Sequence, residues 1–203
     1  MIQIGARRER VQWWFGLLWV VYTLVGLGAG MGLMFLGVGT LMNRAPALIF
    51  GAIFGGILGF FSGLAQARLL GRYLSATTGW IVATFLVWTF FWAPNMAGIF
   101  AVGSGIAGKF REGLLHGAIF GLFLGGGQWF VLYQQVEKAS RWIIINAIAW
   151  AIGMALGKGI GEYLGSSNLT ILITAAVATL GSGVGIVWQL RQLRYVLQTT
   201  KDG

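Results

Sequence analysis

The chain holds one histidine, His116, and no cysteine. Its only imidazole offers a single axial nitrogen, enough for a chlorophyll magnesium or a haem iron but not for a multi-histidine or thiolate metal centre. His116 directly precedes Gly117 at the start of an apolar run, and the plainer expectation is a solvated side chain at the membrane edge. Charges of both signs gather at that end of the apolar runs: Arg111 and Glu112, then Lys158 and Glu162. Lys158 and Glu162 are one helical turn apart, in the less favourable order for an ion pair. The set reads as a surface salt-bridge cluster, with a site for a charged headgroup or solute as the alternative. Gln66, Gln128 and Gln189 each close an apolar run near basic residues. A glutamine in hydrocarbon seeks a partner, so the three could form a polar ring about a pseudo-threefold axis, or bond backbone groups at helix ends. The chain has no P-loop, no G-x-S-x-G, no H-E-x-x-H and no paired carboxylates, so no enzymatic activity is expected.

The elements that must position these residues repeat. Gly55, Gly59, Gly63 and Gln66 recur 62 residues later as Gly117, Gly121, Gly125 and Gln128. Trp80 and Trp88 recur at the same offset as Trp142 and Trp150. A weaker third copy places Gly181, Gly185 and Gln189 on the ladder, and Trp14 with Tyr22 on the tryptophan pair. Spacings of 4, 4 and 3 put each ladder within about 80° on one helical face, a glycine zipper that lets two backbones approach. Helix packing is therefore the expected role of Gly55, Gly59, Gly63, Gly117, Gly121, Gly125, Gly181 and Gly185, with a pore lining or cofactor slot as the alternative. Trp80 and Trp142, just after basic loops, fit an interfacial aromatic belt. Trp88 and Trp150, about 12 Å deeper, read as packing residues.

Composition sets the environment. The chain is 57% hydrophobic and 9% charged, with a mean hydropathy of +0.79, against about 25% charged residues in soluble domains. The predicted spans are 13–37, 47–69, 79–101, 114–134, 142–162 and 170–192, each near the 20 residues that cross a bilayer. The net charge of +9 is no nucleic-acid signal, because the basic residues punctuate the ends of the spans. Ten lie on the side of the N-terminus (Arg7, Arg8, Arg10, Arg68, Arg72, Lys138, Arg141, Arg191, Arg194, Lys201) and four on the other (Arg44, Lys109, Arg111, Lys158). That bias predicts both termini on the cytoplasmic side. Arg7, Arg8 and Arg10 before a long apolar run also resemble a secretory signal, but the run exceeds a signal's 7–15 residues and reads as the first span.

Gly125-Gly126-Gly127-Gln128-Trp129-Phe130-Val131-Leu132, followed by charges and Trp142, resembles an element of uncharacterised bacterial multi-pass membrane proteins with repeated G-x-x-Q-W-x-V-L and Trp hairpin units. The first unit departs from it, with Ala67 where the second has Trp129. The resemblance implies no activity and no site. The expected fold is all-α and integral to the membrane: six transmembrane helices as three repeated hairpins, about 11–72, 79–138 and 141–194, in one domain spanning 1–203. The expected function is a non-catalytic accessory subunit in a bacterial plasma or thylakoid-type membrane. It would pack with lipids, pigments or other membrane-protein subunits of a photosynthetic or respiratory assembly. The alternative is a small transporter or channel with an uncharged pathway. The sequence requires no cofactor; chlorophyll, carotenoid and haem are the candidates that His116 and the aromatic residues raise.

Overall fold

A computed structural model describes residues 11–38, 45–75, 77–96 and 105–192. All regular structure among them is helical: α1 (Trp14–Leu33, continued by a π-helical stretch Met34–Val38), α2 (Ala47–Leu70), α3 (Thr78–Met96), α4 (Gly105–Leu132), α5 (Arg141–Tyr163) and α6 (Ser167–Leu190). Five of the six are long and apolar enough to cross a membrane, the mark of an integral membrane protein.

The exception is α3, expected as the span 79–101. Its 19 described residues include Trp80, Trp88 and Trp92 and end in Pro94, Asn95 and Met96, which together dilute its hydropathy; positions 97–101 lie outside the described residues. A second difference concerns α4, which starts nine residues before the expected 114 and takes Lys109, Arg111 and Glu112 into the helix. Glu112 makes this tolerable, because its carboxylate binds Lys109 and Lys158 together.

Consecutive helices alternate in direction and pack in chain order, and α6 returns to α1, so the six form a closed ring. We call the end where α1 begins the near end and the other the far end. The connections are short where backbone conformation permits. Gly165, at φ +62°, turns the chain between α5 and α6, and Ser166 caps α6 by accepting from the Leu169 amide. At the near end the loops are stitched in series. The Ser75 amide and hydroxyl donate to Gln135 Oε1, the Glu137 amide to Gln192 O, and Arg191 Nε to Val11 O.

The ladders set the tightest packing. A methyl group on Gly55 or Gly59 would overlap the α3 backbone at Trp88 and Thr84, and one on Gly117 or Gly121 the α5 backbone at Trp150 and Asn146. Gly63 and Gly125 lie against Ile81 with Thr84 and against Ile143. The closest approach therefore joins α2 to α3 and α4 to α5, across the boundaries of the expected hairpin units. Gly181 and Gly185 differ. They meet side chains first, Ala149 and Ile145, and the stripe of α6 that lies with the core is Ala178, Ser182 and Ile186, beside the also buried Gly185. One residue of register separates the two stripes. On α6 the close approach to α1 is made by Gly183, against Gly16.

Candidate functional site

The ring's interior is layered along its axis. Nearest the near end, Trp19, Trp80 and Trp142, each at most 1% exposed, meet with centroid separations of 5.8, 5.9 and 6.1 Å. They form a nearly equilateral plug, edge-on in two of its three contacts. Trp80 and Trp142 are thus core residues and not a membrane belt. The third member is Trp19, in place of the expected Trp14 and Tyr22; Trp14 is exposed and bonds Gln12.

Each indole N–H in the plug has an acceptor, as buried donors require. Trp80 donates to Gln66 Oε1 at 2.8 Å, and Gln66 Nε2 donates to Thr23 Oγ1 at 3.1 Å. Trp142 donates to Gln128 Oε1 at 3.0 Å, and Gln128 Nε2 donates to Thr84 Oγ1 at 3.0 Å. Trp19 donates instead to Ser182 Oγ at 3.1 Å. Gln189 turns away, its Nε2 3.4 Å from Lys138 O and its buried Oε1 without a hydrogen-bond partner. The glutamine ring is therefore not formed as expected. No hydrogen bond joins the three glutamines, and only Gln66 and Gln128 face the small central pocket. That pocket, about 10 Å³, is also lined by Thr23, Thr84, Asn146 and Ser182; it is the size of one water with several polar neighbours.

Above the pocket, Trp88, Phe120 and Trp150 form a second aromatic layer with centroids 4.6–5.7 Å apart. This layer agrees with the packing role read from the sequence for Trp88 and Trp150. Beyond it the far half of the ring is hollow. A chamber of about 300 Å³ lies among α1, α2, α3, α5 and α6, walled by Leu58, Trp88, Trp92, Trp150, Met154 and Ile171. Its lining is almost wholly apolar. The polar residues on it are Asn95, Lys158, Ser167, Thr170 and Thr174; Trp92 Nε1 is itself occluded and has no hydrogen-bond partner.

The charged cluster borders this chamber. Glu112 Oε1 accepts from Lys158 Nζ at 2.6 Å and Oε2 from Lys109 Nζ at 3.1 Å, and Lys158 Nζ also lies 3.2 Å from His116 Nδ1. Glu112 and His116 are 6% and 4% exposed. Two expectations change. The ion pair is Lys158 with Glu112, 46 residues away, and not with Glu162 on the next turn. His116 is buried against Lys158, which occupies Nδ1 as an acceptor, and it is not among the residues that wall the chamber. Arg111 and Glu162 are exposed. A second, more open cavity of about 270 Å³ lies over the cluster, lined by Lys109, Glu112, Lys158, Glu162 and the start of α6. No sequence signal pointed to either cavity, since both depend on ring closure; the tryptophans at 88, 92 and 150 marked only that something large is packed there. Among the described residues, no group of three or more His, Cys, Asp or Glu side chains could hold a metal ion.

No protein-family model matches this chain, and no curated protein or solved structure is significantly similar to it.

Proposed function

We propose that this protein is a non-catalytic membrane subunit that holds an apolar ligand in the far-end chamber and packs its outer faces against lipid or neighbouring subunits. One observation carries this reading: a chamber of about 300 Å³ walled chiefly by three tryptophans, a phenylalanine, methionines and aliphatic side chains, with a few polar residues at Asn95, Lys158, Ser167, Thr170 and Thr174. Ligand pockets of about this volume are mostly apolar, with a few polar groups that fix orientation. A lipid chain or an isoprenoid pigment has the matching chemistry.

The test is extraction. Protein purified from native membranes in mild detergent, then dissolved in organic solvent, is expected to release about one apolar molecule per chain, identified by mass spectrometry and by visible absorption. Met154→Trp fills the chamber and is expected to remove that molecule. Equal recovery from both proteins would refute the reading. A coloured preparation whose spectrum is unchanged by His116→Ala would assign the pigment to the chamber without a histidine ligand.

The three hairpins, the bacterial membrane and the side of the termini belong to the same proposal. The supporting facts are the 62-residue offsets and the ten-to-four distribution of basic residues. Ser75 and Ser140, both exposed in near-end loops, would be cytoplasmic. Cysteines placed there should be protected from impermeant reagents in intact cells, and labelling of either would overturn the orientation. The small polar pocket aligned between chamber and plug favours a second reading, an uncharged pathway closed by Trp19, Trp80 and Trp142. Trp80→Ala should then raise solute flux in vesicles, and unchanged flux would remove this alternative.

A further inference from the structure

The two far-end cavities share residues. Lys158, Ser167 and Thr170 line both the apolar chamber and the polar cavity over the charged cluster. A ligand reaching across them meets an apolar wall on one side and, on the other, an ammonium, the Ser167 hydroxyl and the opening turn of α6; the Thr170 hydroxyl already donates to Ser166 O. Two lysines and two acids line that side, but the ammonium groups and the carboxylates are unevenly placed. Two lysines share the one buried carboxylate of Glu112, and the remaining acid on the wall, Glu162, is exposed and screened by solvent. Of the three Lys158 donors, two are directed to Glu112 and His116, leaving one for an incoming acceptor. Oxyanions are favoured by spare ammonium donors through charge-assisted hydrogen bonds, and by the first turn of a helix.

Resting on the chamber reading above, we infer that the ligand is an anionic membrane lipid, with its oxyanion head at Lys158 and Ser167 and one acyl chain in the tryptophan-lined chamber. Lys158 is the joint between the two halves of the site, and Glu112 with His116 fixes the direction of its ammonium. Glu112 is a positioning residue, since it repels the head and acts only through the lysines.

Native mass spectrometry of the delipidated protein, titrated with phosphatidylglycerol or phosphatidylcholine of identical chains, tests this. The wild type is expected to bind phosphatidylglycerol about tenfold more tightly, because both lipids carry the phosphate but the choline cation of phosphatidylcholine offsets its charge beside the lysines. Lys158→Gln alone would leave the buried carboxylate with Lys109 as its one lysine partner and destabilise the fold, so the variant to use is Glu112→Gln with Lys158→Gln. It should lose the preference and keep the phosphatidylcholine affinity, while Lys158→Arg keeps the preference. Met154→Trp should abolish binding of both lipids. Equal wild-type affinities for the two lipids, or a preference that survives in the double variant, would overturn the headgroup site and leave the chamber reading standing. Absence of saturable binding of either lipid to the wild type would overturn both.

Discussion

Two helix pairs in this ring, α2 with α3 and α4 with α5, are joined by short loops, and a third, α6 with α1, consists of the last and first helices. In the joined pairs the glutamine and the tryptophan that bond each other are 14 residues apart, Gln66 with Trp80 and Gln128 with Trp142. In the third pair Gln189 and Trp19 do not bond. Ser182 takes the indole N–H and Gln189 keeps a buried oxygen without a partner. The joined pairs also bring backbone onto glycine along several turns, whereas α6 touches α1 closely through Gly183 alone among its glycines. A short loop fixes the register of its two helices, so a long-range contact can depend on a single rotamer on each side. Without that link, a one-residue slip of the small-residue stripe is absorbed by a shorter acceptor, serine, at a different height on the helix.

This contrast can be broken experimentally. The largest effect is expected at Gly121, where even a methyl group overlaps the α5 backbone and the helices must separate. Gly121→Ala should cost about 3 kcal/mol, the upper range for overpacking, seen as a lowered melting temperature in detergent. Gly181→Ala should cost less, because it meets one atom under 3 Å, Ala149 Cβ at 2.8 Å, where Gly121 meets three backbone atoms of Asn146 and Ala147, all of them closer. Equal losses would show that both stripes pack alike.

A smaller effect separates the glutamines. Gln128→Leu strands the Trp142 N–H and should cost about 1–2 kcal/mol. Gln189→Leu removes one long hydrogen bond together with one unsatisfied oxygen, and should stay within about 0.5 kcal/mol of wild type. Comparable losses in the two variants would mean that Gln189 bonds Trp19 in the membrane. Ser182→Ala comes next, at about 1 kcal/mol for the stranded Trp19 N–H; no loss would mean that Trp19 has another acceptor. The smallest change is at Gly126, where a side-chain methyl would have no neighbour within 4 Å. Gly126→Ala should raise stability by about 0.5–1 kcal/mol through helix propensity, and a loss in thermal melts would place an unseen neighbour there.

Much of the class and the ladders was legible before any fold. Glycines at steps of four share a helical face whatever lies opposite, so Gly117, Gly121 and Gly125 could be assigned to packing without knowing that α5 receives them. The identity of a partner was not legible. Lys158 had a carboxylate one turn away and chose one 46 residues away, because Glu112 is buried beside it and Glu162 is in solvent. Trp80 and Trp142 sit after basic loops, as belt residues do, yet point inward; direction around the helix, not depth along it, decides between belt and plug. Trp19 was hidden by an offset of 61 instead of 62 from Trp80, and Trp14 with Tyr22 matched the spacing between the tryptophans but not their burial.

The seam between α1 and α6 also has a place in time. Helices enter a membrane in the order in which they are synthesised, so α1 precedes α6, its partner across the seam. Until α6 follows, the Trp19 N–H lacks Ser182, Gly16 lacks Gly183, and Val11 O lacks Arg191. The ring, and with it both far-end cavities, comes into being only when the last helix is released.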